Sequence, residues 1–559
     1  VKPYVWLQKF GAALEQGDIN AAAAMFEPEG YWRDLVSLTW NVKTCEGRAE
    51  IKAMLAATLA AARPRRFQAK TGEWFTFETA VGRGVGHMRF RDKGRHCWTL
   101  LTTLQELRGF EEKAGVNRVK IPSRAEPGVP REPYVLIVGG GQGGIALAAR
   151  LKRLEVPAIV VEKNERAGDS WRKRYKSLCL HDPVWYDHMP YLPFPDHWPV
   201  FSPKDKIADW LEMYVRVMEL DYWGSTKCIK ATWHEEASEW EVMVIRDGQP
   251  HTLRPKHLVL ATGMSGFPNI PKIEGADSFQ GRLVHSSQYA GGAEWKGMQC
   301  IVVGSGTSGH DICADLVEQG AGSVTMIQRA PTIVARSETL MDLAWGPLYS
   351  EQALARGITT EIADLTVASM PHKVLPELQK PLYQTMRQRD AEMYEGLEKA
   401  GFQYTFGEDG SGIHALYLRR GAGYYIETGA SQMIVDGEIR LKSGPSVQAL
   451  KERAVMLSDK TELPADLVVL ATGYGSMNQW ARELISNAVA EKVGKVWGLG
   501  SDTKDDPGPW VGELRNMWKP TQQANLWFHG GNLMQSRHYS LYLALQLKAR
   551  MEQIPTPVY

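Results

Sequence analysis

The sequence is poor in cysteine, and its six cysteines form neither a CxxC pair nor a metal-ligand spacing. Cys45, Cys97, Cys179, Cys228, Cys300 and Cys313 are scattered, which fits reduced structural thiols in a cytoplasmic protein and excludes dithiol exchange and a thiolate metal centre. Neither sign of charge dominates. A formal net charge of +1 over 559 residues gives no field to gather nucleic acid or an anionic membrane. No uninterrupted apolar run is long enough to span a bilayer, and the opening VKPYVWLQKF lacks the apolar core of a signal peptide. No long span has the composition of a disordered chain either; 44% hydrophobic residues suffice for large cores, and the length predicts three or four domains. What the chain does have is nineteen tryptophans, rigid aromatics suited to core packing and to the walls of a water-poor pocket.

The rest is organised around YVLIVGGGQGGIALAARLKRLEVPAIVVE, Tyr134 to Glu162. A buried strand, the glycines Gly139, Gly141, Gly143 and Gly144, an apolar helix and a second β-branched strand follow in the order of a dinucleotide-binding βαβ unit. Such glycines let backbone approach a pyrophosphate, and the helix N-terminus offers unpaired N–H groups. Glu162, about 20 residues past the turn, is placed to accept hydrogen bonds from ribose hydroxyls. Lys163 follows it, and an aromatic, proline-rich loop holding Ser170, Trp171, Arg172, His181 and Asp187 is expected to cover the bound nucleotide.

A second unit, CIVVGSGTSGHDICADL, repeats the pattern with Gly304, Gly306, Thr307, Ser308 and Gly309. Its next strand ends on Gln328 and Arg329 where the first ends on an acid. An acid suits a free ribose hydroxyl, whereas an arginine fork suits a 2′-phosphate. That asymmetry assigns FAD to the first unit and NADPH to the second.

The α/β class therefore takes two Rossmann-like domains. Residues 1–125 read as helices followed by antiparallel strands, a compact α+β domain, and 126–133 as a basic, proline-containing linker. The first nucleotide domain is expected over 134–290, the second over 291–465 with a helical insertion at about 337–420, and a return to the first over 466–559. Two strands end in Ala-Thr-Gly, at Leu258–Gly263 and Leu467–Tyr474, and the later one is expected to carry the chain back into the first sheet. Near the C-terminus a Gly-Gly turn with Asn532 precedes a long apolar helix predicted to begin at Gln535 or Ser536. Its N-terminus is positioned to favour negative charge on a reduced flavin. Arg537 reads equally as a contributor to that charge or as a solvated residue.

Between the units, FQGRLVHSSQY fits FxGxxxHxxxY and resembles the fingerprint of flavin-containing monooxygenases, a family of class B flavoprotein monooxygenases. With the added N-terminal domain the chain looks most like the type II members. There the N-terminal order, with WRDL, resembles the cone-shaped SnoaL-like fold. The resemblance implies FAD, NADPH with relaxed use of NADH, O2 and a small organic substrate, and a flavin C4a-(hydro)peroxide that performs Baeyer-Villiger oxidation of ketones, S- or N-oxidation, or both. A flavin reductase or oxidase that inserts no oxygen is the alternative. It also implies catalytic roles around Asp187, His285 and Tyr289, with His285 tied to domain placement. Asp187 falls where many members carry an asparagine, and an ionised carboxylate cannot donate there. Asp34 is a weak candidate for an acid inside the cone. A homodimer follows by analogy, and neither nucleic acid nor membrane is an expected partner.

Overall fold

The computed structural model describes residues 2–121, 132–499 and 512–559; the expected linker at 126–133 lies almost wholly outside them. The N-terminal domain is a six-stranded sheet in the order Val42–Glu46, Phe26–Leu35, Cys97–Leu107, Gly82–Phe90, Trp74–Glu78, Arg65–Ala69. Its pairs are antiparallel except Phe26–Leu35 with Cys97–Leu107. Helix Pro3–Glu15 stops at Gly17, where φ is +73°. Asp18 then caps Ile19–Ala24 by accepting from the Ala21 N–H at 2.9 Å, which supplies one orphan donor of the helix start. Trp6 stacks on Phe10 with centroids 4.6 Å apart, and Phe26 stacks on Trp32. This aromatic core joins the helices to one side of the sheet. Leu35, Trp40, Val42, Leu101 and Leu104 belong instead to the buried cluster of the first nucleotide sheet. The domain therefore shares a core with the rest of the chain.

Both nucleotide sheets are five-stranded and parallel. The first runs Leu526–Phe528, His257–Leu260, Val135–Val138, Ala158–Val161, Tyr222–Trp223. The second runs Arg282–His285, Leu467–Leu470, Gln299–Val303, Ser323–Gln328, Arg440–Ser443. This order corrects the expected boundaries. The later Ala-Thr-Gly strand, Leu467–Leu470, lies inside the second sheet, and Arg282–His285 is that sheet's edge. The return to the first sheet is made by Leu526–Phe528. An LVVL run buried on both faces fits any parallel sheet, so periodicity does not reveal which one it joins.

The stretch from Ser337 to Arg420 is mainly helical, with Thr360–Ala368, Leu375–Arg389, Ala391–Lys399 and Gly412–Arg420 as its longer elements. Helix Leu533–Met551 is buried along nearly its whole length and packs against Gln142–Arg153. Among the described residues no helix is long and apolar enough to cross a membrane, and no cluster of side chains could hold a metal ion.

Candidate functional site

The two glycine turns are built alike. Gly139 has φ of +111° and Gly304 of +125°, values that a side chain disfavours. A Cβ on Gly139 would overlap the Ala261 carbonyl oxygen, and one on Gly304 would overlap that of Ala471. The third glycines, Gly144 and Gly309, lie against the carbonyls of Gly139 and Gly304 and permit close packing of helix on strand. The middle glycines face open space. Nothing lies within 4 Å of a Cβ on Gly141, and for Gly306 the nearest atom is the Tyr424 carbonyl oxygen at 3.8 Å. Each is the N-cap of its helix without a side-chain cap, so free N–H groups border an uncluttered cradle. That fits a dinucleotide pyrophosphate at both turns. The Ala-Thr-Gly motifs gain their reason here, because each supplies the alanine that abuts the first glycine.

Around the first cradle, Glu162 is buried and accepts from the N–H groups of Gly140 at 2.8 Å and Asn164 at 2.9 Å. Lys163 and Ser170 are exposed. Gly143 packs on the Gly-Gly turn, with the Gly530 Cα 3.3 Å from its Cβ position, so it faces the protein more than the cradle. In the second unit, the Thr307 hydroxyl donates to the Tyr424 carbonyl at 3.0 Å, while Ser308 is half-buried. Gln328 is not available to a ribose. Its amide donates to the Gln403 carbonyl at 2.8 Å and accepts from the Gln403 N–H at 2.9 Å and the Ser443 hydroxyl at 2.8 Å. Arg329 beside it is exposed; it alone of the pair is free to meet a phosphate.

The covering loop divides its residues between packing and the cleft. Arg172 is spent on Asp169, Asp209 and Glu212 at 2.7–3.0 Å, so it braces helix Lys204–Val217. Trp171 packs in the same cluster as Ile207 and Leu211. His181 stands edge-on to Tyr424 at 5.9 Å, the residue whose carbonyl borders the second cradle. Asp187 is wholly buried, and neither of its carboxyl oxygens has a hydrogen-bond partner. Burial and the neighbouring Asp182 push its pKa well above the usual carboxylate range, against the pull of Arg537. Its surroundings thus favour the protonated carboxyl, the only form that can donate a hydrogen bond, over the ionised one.

The C-terminal helix begins at Leu533, earlier than expected, because Asn532 and Gln535 form a capping box. The box spends one side of each on the helix itself. Asn532 Nδ2 also reaches the Tyr186 hydroxyl at 3.1 Å, and Gln535 Oε1 accepts from the Tyr417 hydroxyl at 3.1 Å. Arg537 is neither solvated nor free. It is buried, paired with Asp364 at 2.6 and 2.8 Å, and donates to the carbonyls of Tyr186 and His188, both at 2.7 Å. A cavity of about 800 Å³ between the N-terminal domain, this helix and the insertion has Arg537 and Asp364 in its wall. Neither contact was legible in the sequence, since Asp364 is 173 residues from Arg537.

His285 and Tyr289, expected among the catalytic residues, are both hydrogen-bonded within the chain. His285 Nδ1 accepts from the Ser287 N–H at 3.1 Å, so the proton sits on Nε2, which donates to the Gly473 carbonyl at 2.9 Å. Burial lowers its pKa, and both nitrogens are engaged. It straps the connecting segment to the Ala-Thr-Gly loop of the second unit. The Tyr289 hydroxyl donates to Asp315 at 2.6 Å inside the second domain's core. Asp34 is likewise a structural anchor. It accepts from the Leu38 and Thr39 N–H groups and from the hydroxyls of Ser37, Thr39 and Thr102.

A family model described as pyridine nucleotide-disulphide oxidoreductase matches residues 136–370. All six cysteines are free, so this chain keeps the nucleotide architecture without a disulfide. A probable indole-3-pyruvate monooxygenase of Arabidopsis thaliana, YUCCA10, is 27% identical over 348 residues, 62% of this chain and 82% of its own length. The indole-3-pyruvate monooxygenase YUCCA1 of Oryza sativa subsp. japonica is 26% identical over 366 residues, 65% of this chain and 82% of its own. Among solved structures, OTEMO in complex with FAD and NADP aligns with a TM-score of 0.53 at 16% identity, over 76% of this chain and 85% of that one. Cyclohexanone monooxygenase bound to ε-caprolactone gives 0.51 at 15%, over 75% and 86%. At such identities the structural likeness speaks for the fold.

Proposed function

We propose that this chain, a flavin-dependent NAD(P)H monooxygenase of the class B flavoprotein family, inserts one oxygen atom of O2 into small organic molecules by Baeyer-Villiger oxidation of ketones, by S- or N-oxidation, or by both. The observation that carries the reading is the pair of matched cradles, one flanked by the acid Glu162 and the other by the exposed Arg329. FAD is read into the first and NADPH, with NADH accepted, into the second; the N-terminal domain is read as SnoaL-like. Bound FAD would supply the hydride-accepting and O2-reactive chemistry that the chain's own residues lack.

The protein's own part is binding, orientation and exclusion of water. The open faces of Gly141 and Gly306 admit the pyrophosphates to free helix N–H groups. Glu162 sits where ribose hydroxyls would compete for its oxygens, and Arg329 offers its fork to a 2′-phosphate. The helix capped by Asn532 would offer its positive N-terminal end to negative charge on a bound flavin. Asp187, buried and without a hydrogen-bond partner in surroundings that favour its protonated form, would supply a proton to the oxygen side of the reaction. Tyr186, Tyr417 and the insertion helices keep this region dry.

The test is to reduce the FAD-loaded protein anaerobically with NADPH, then admit oxygen together with a cyclic ketone or a sulfide. Ester or sulfoxide formed in proportion to NADPH supports the reading. Stoichiometric hydrogen peroxide with both substrates unchanged would leave a reductase or oxidase.

A further inference from the structure

Arg33 lies in the N-terminal sheet and has no exposed surface. Its guanidinium holds three parts of the chain at once. Nε and Nη2 donate to Glu513 at 2.6 and 2.9 Å, Nη2 also donates to the Tyr539 hydroxyl at 2.8 Å, and Nη1 donates to the Ala368 carbonyl at 2.8 Å. Ala368 is the last residue of helix Thr360–Ala368, where a cation satisfies an orphan carbonyl and complements the helix dipole. One turn earlier on that helix stands Asp364, the partner of Arg537, and Arg537 is two residues from Tyr539. The two arginines thus clamp the same pair of helices.

The second clamp ends at Asp187. Arg537 donates Nε and Nη2 to Asp364 and gives Nη1 to the carbonyls of Tyr186 and His188, the residues on either side of Asp187. Its charge is met by Asp364, and Asp187 receives no hydrogen bond. The groups facing Asp187 are Asp182 and Tyr186 from its own loop and Arg537 from the C-terminal helix. Asp364 stands behind the arginine and accepts from the Tyr349 hydroxyl at 2.7 Å, and His188 flanks it.

We propose that Arg33 is a positioning residue for the oxygenation site: by fixing helix Thr360–Ala368 it holds Asp364 on Arg537 and so keeps that guanidinium from hydrogen-bonding to Asp187. The N-terminal domain is then a working part of the site. This rests on the reading of Asp187 as the acid of that site, but its test does not need turnover. A displaced helix would free the Arg537 guanidinium to turn toward Asp187 and favour the carboxylate. Arg33→Lys keeps the charge near Ala368 but cannot span three partners.

The test uses the full-length, FAD-loaded protein. Difference infrared spectra against Asp187→Asn isolate the carbonyl stretch of protonated Asp187, which is followed with pH. In the wild type the band persists through neutral pH. In Arg33→Met it is lost at a pH at least one unit lower, a tenfold fall in proton affinity, and Arg33→Lys lies between. Asp364→Asn moves the band in the same direction and serves also if Arg33→Met does not fold, alongside Tyr539→Phe, which removes one of the contacts of Arg33 and gives a smaller shift. The proposal is overturned if the wild type shows no protonated-acid band at neutral pH, or if Arg33→Met or Tyr539→Phe titrates as the wild type does. Loss of the monooxygenase reading would appear separately, as a wild type that shows the band and its shift but oxygenates nothing.

Discussion

Gly304 and Ala471 meet across the second nucleotide sheet so closely that a methyl group on the glycine would occupy the place of the alanine's carbonyl oxygen. The same fit joins Gly139 to Ala261 in the first. These pairs fix the mouth of each cradle, and the glycines divide into those that pack and those that leave room. Gly309→Ala forces a methyl onto the Gly304 carbonyl and should cost about 1–3 kcal/mol of stability, read as a lower melting temperature. Gly306→Ala meets nothing closer than 3.8 Å. It should fold normally and raise the KM for NADPH, because the methyl stands where the pyrophosphate would lie.

Asp187 carries a pH signature. Its pKa in the folded protein is raised, so the native state keeps a proton that the unfolded chain releases above about pH 4. The stability associated with it is complete below that pH and falls as pH rises toward the folded pKa. Asp187→Asn removes the titration while keeping a donor. Its melting temperature should exceed the wild type's by a margin that grows from pH 5 to pH 9. An equal margin at both ends would show that Asp187 does not titrate differently in the two states.

Gln328 and Arg329 are neighbours with opposite fates. Gln328→Ala strips partners from the Gln403 backbone and Ser443 and should destabilise the second domain by about 1–3 kcal/mol, affecting NADPH and NADH alike. Arg329→Ala should leave the melting temperature unchanged and raise the KM for NADPH far more than for NADH. Equal effects on both donors would remove Arg329 from the phosphate site.

His285→Ala loses bonds to Gly473 and Ser287 but no proton-transfer group. It should weaken NADPH binding and lower stability, with no change in the pKa values that govern the pH–rate profile. Tyr289→Phe, which leaves Asp315 short of a buried partner, should cost about 1–3 kcal/mol. A new or vanished ionisation in either variant's pH profile would restore a catalytic role.

Local chemistry was legible and long-range pairing was not. GxGxxG reveals itself because each glycine answers a backbone constraint within a few residues, and Gly17 with Asp18 marks a helix boundary for the same reason. Helix Leu533–Met551 hid its start because the polar Asn532 and Gln535 cap it from within. The strand Leu467–Leu470 misled because a run of LVVL is buried equally in either sheet. Nothing in the local sequence marks Arg33, Asp364, Glu513 and Arg537 as buried. Their burial shows only in the fold, because their carboxylate or guanidinium partners lie 173 or 480 residues away in the chain, and the Arg33 carboxylate partner, Glu513, is held at a pKa of about 2 by that arginine and His372, despite burial.

The central claim is that oxygen from O2 enters the substrate. Turnover of a cyclic ketone, and separately of a sulfide, by the FAD-loaded protein with NADPH under 18O2 measures it directly. The account predicts one labelled oxygen in each ester or sulfoxide molecule and one NADPH consumed for each. Unlabelled product, or NADPH oxidation matched by hydrogen peroxide with both substrates intact, would contradict it.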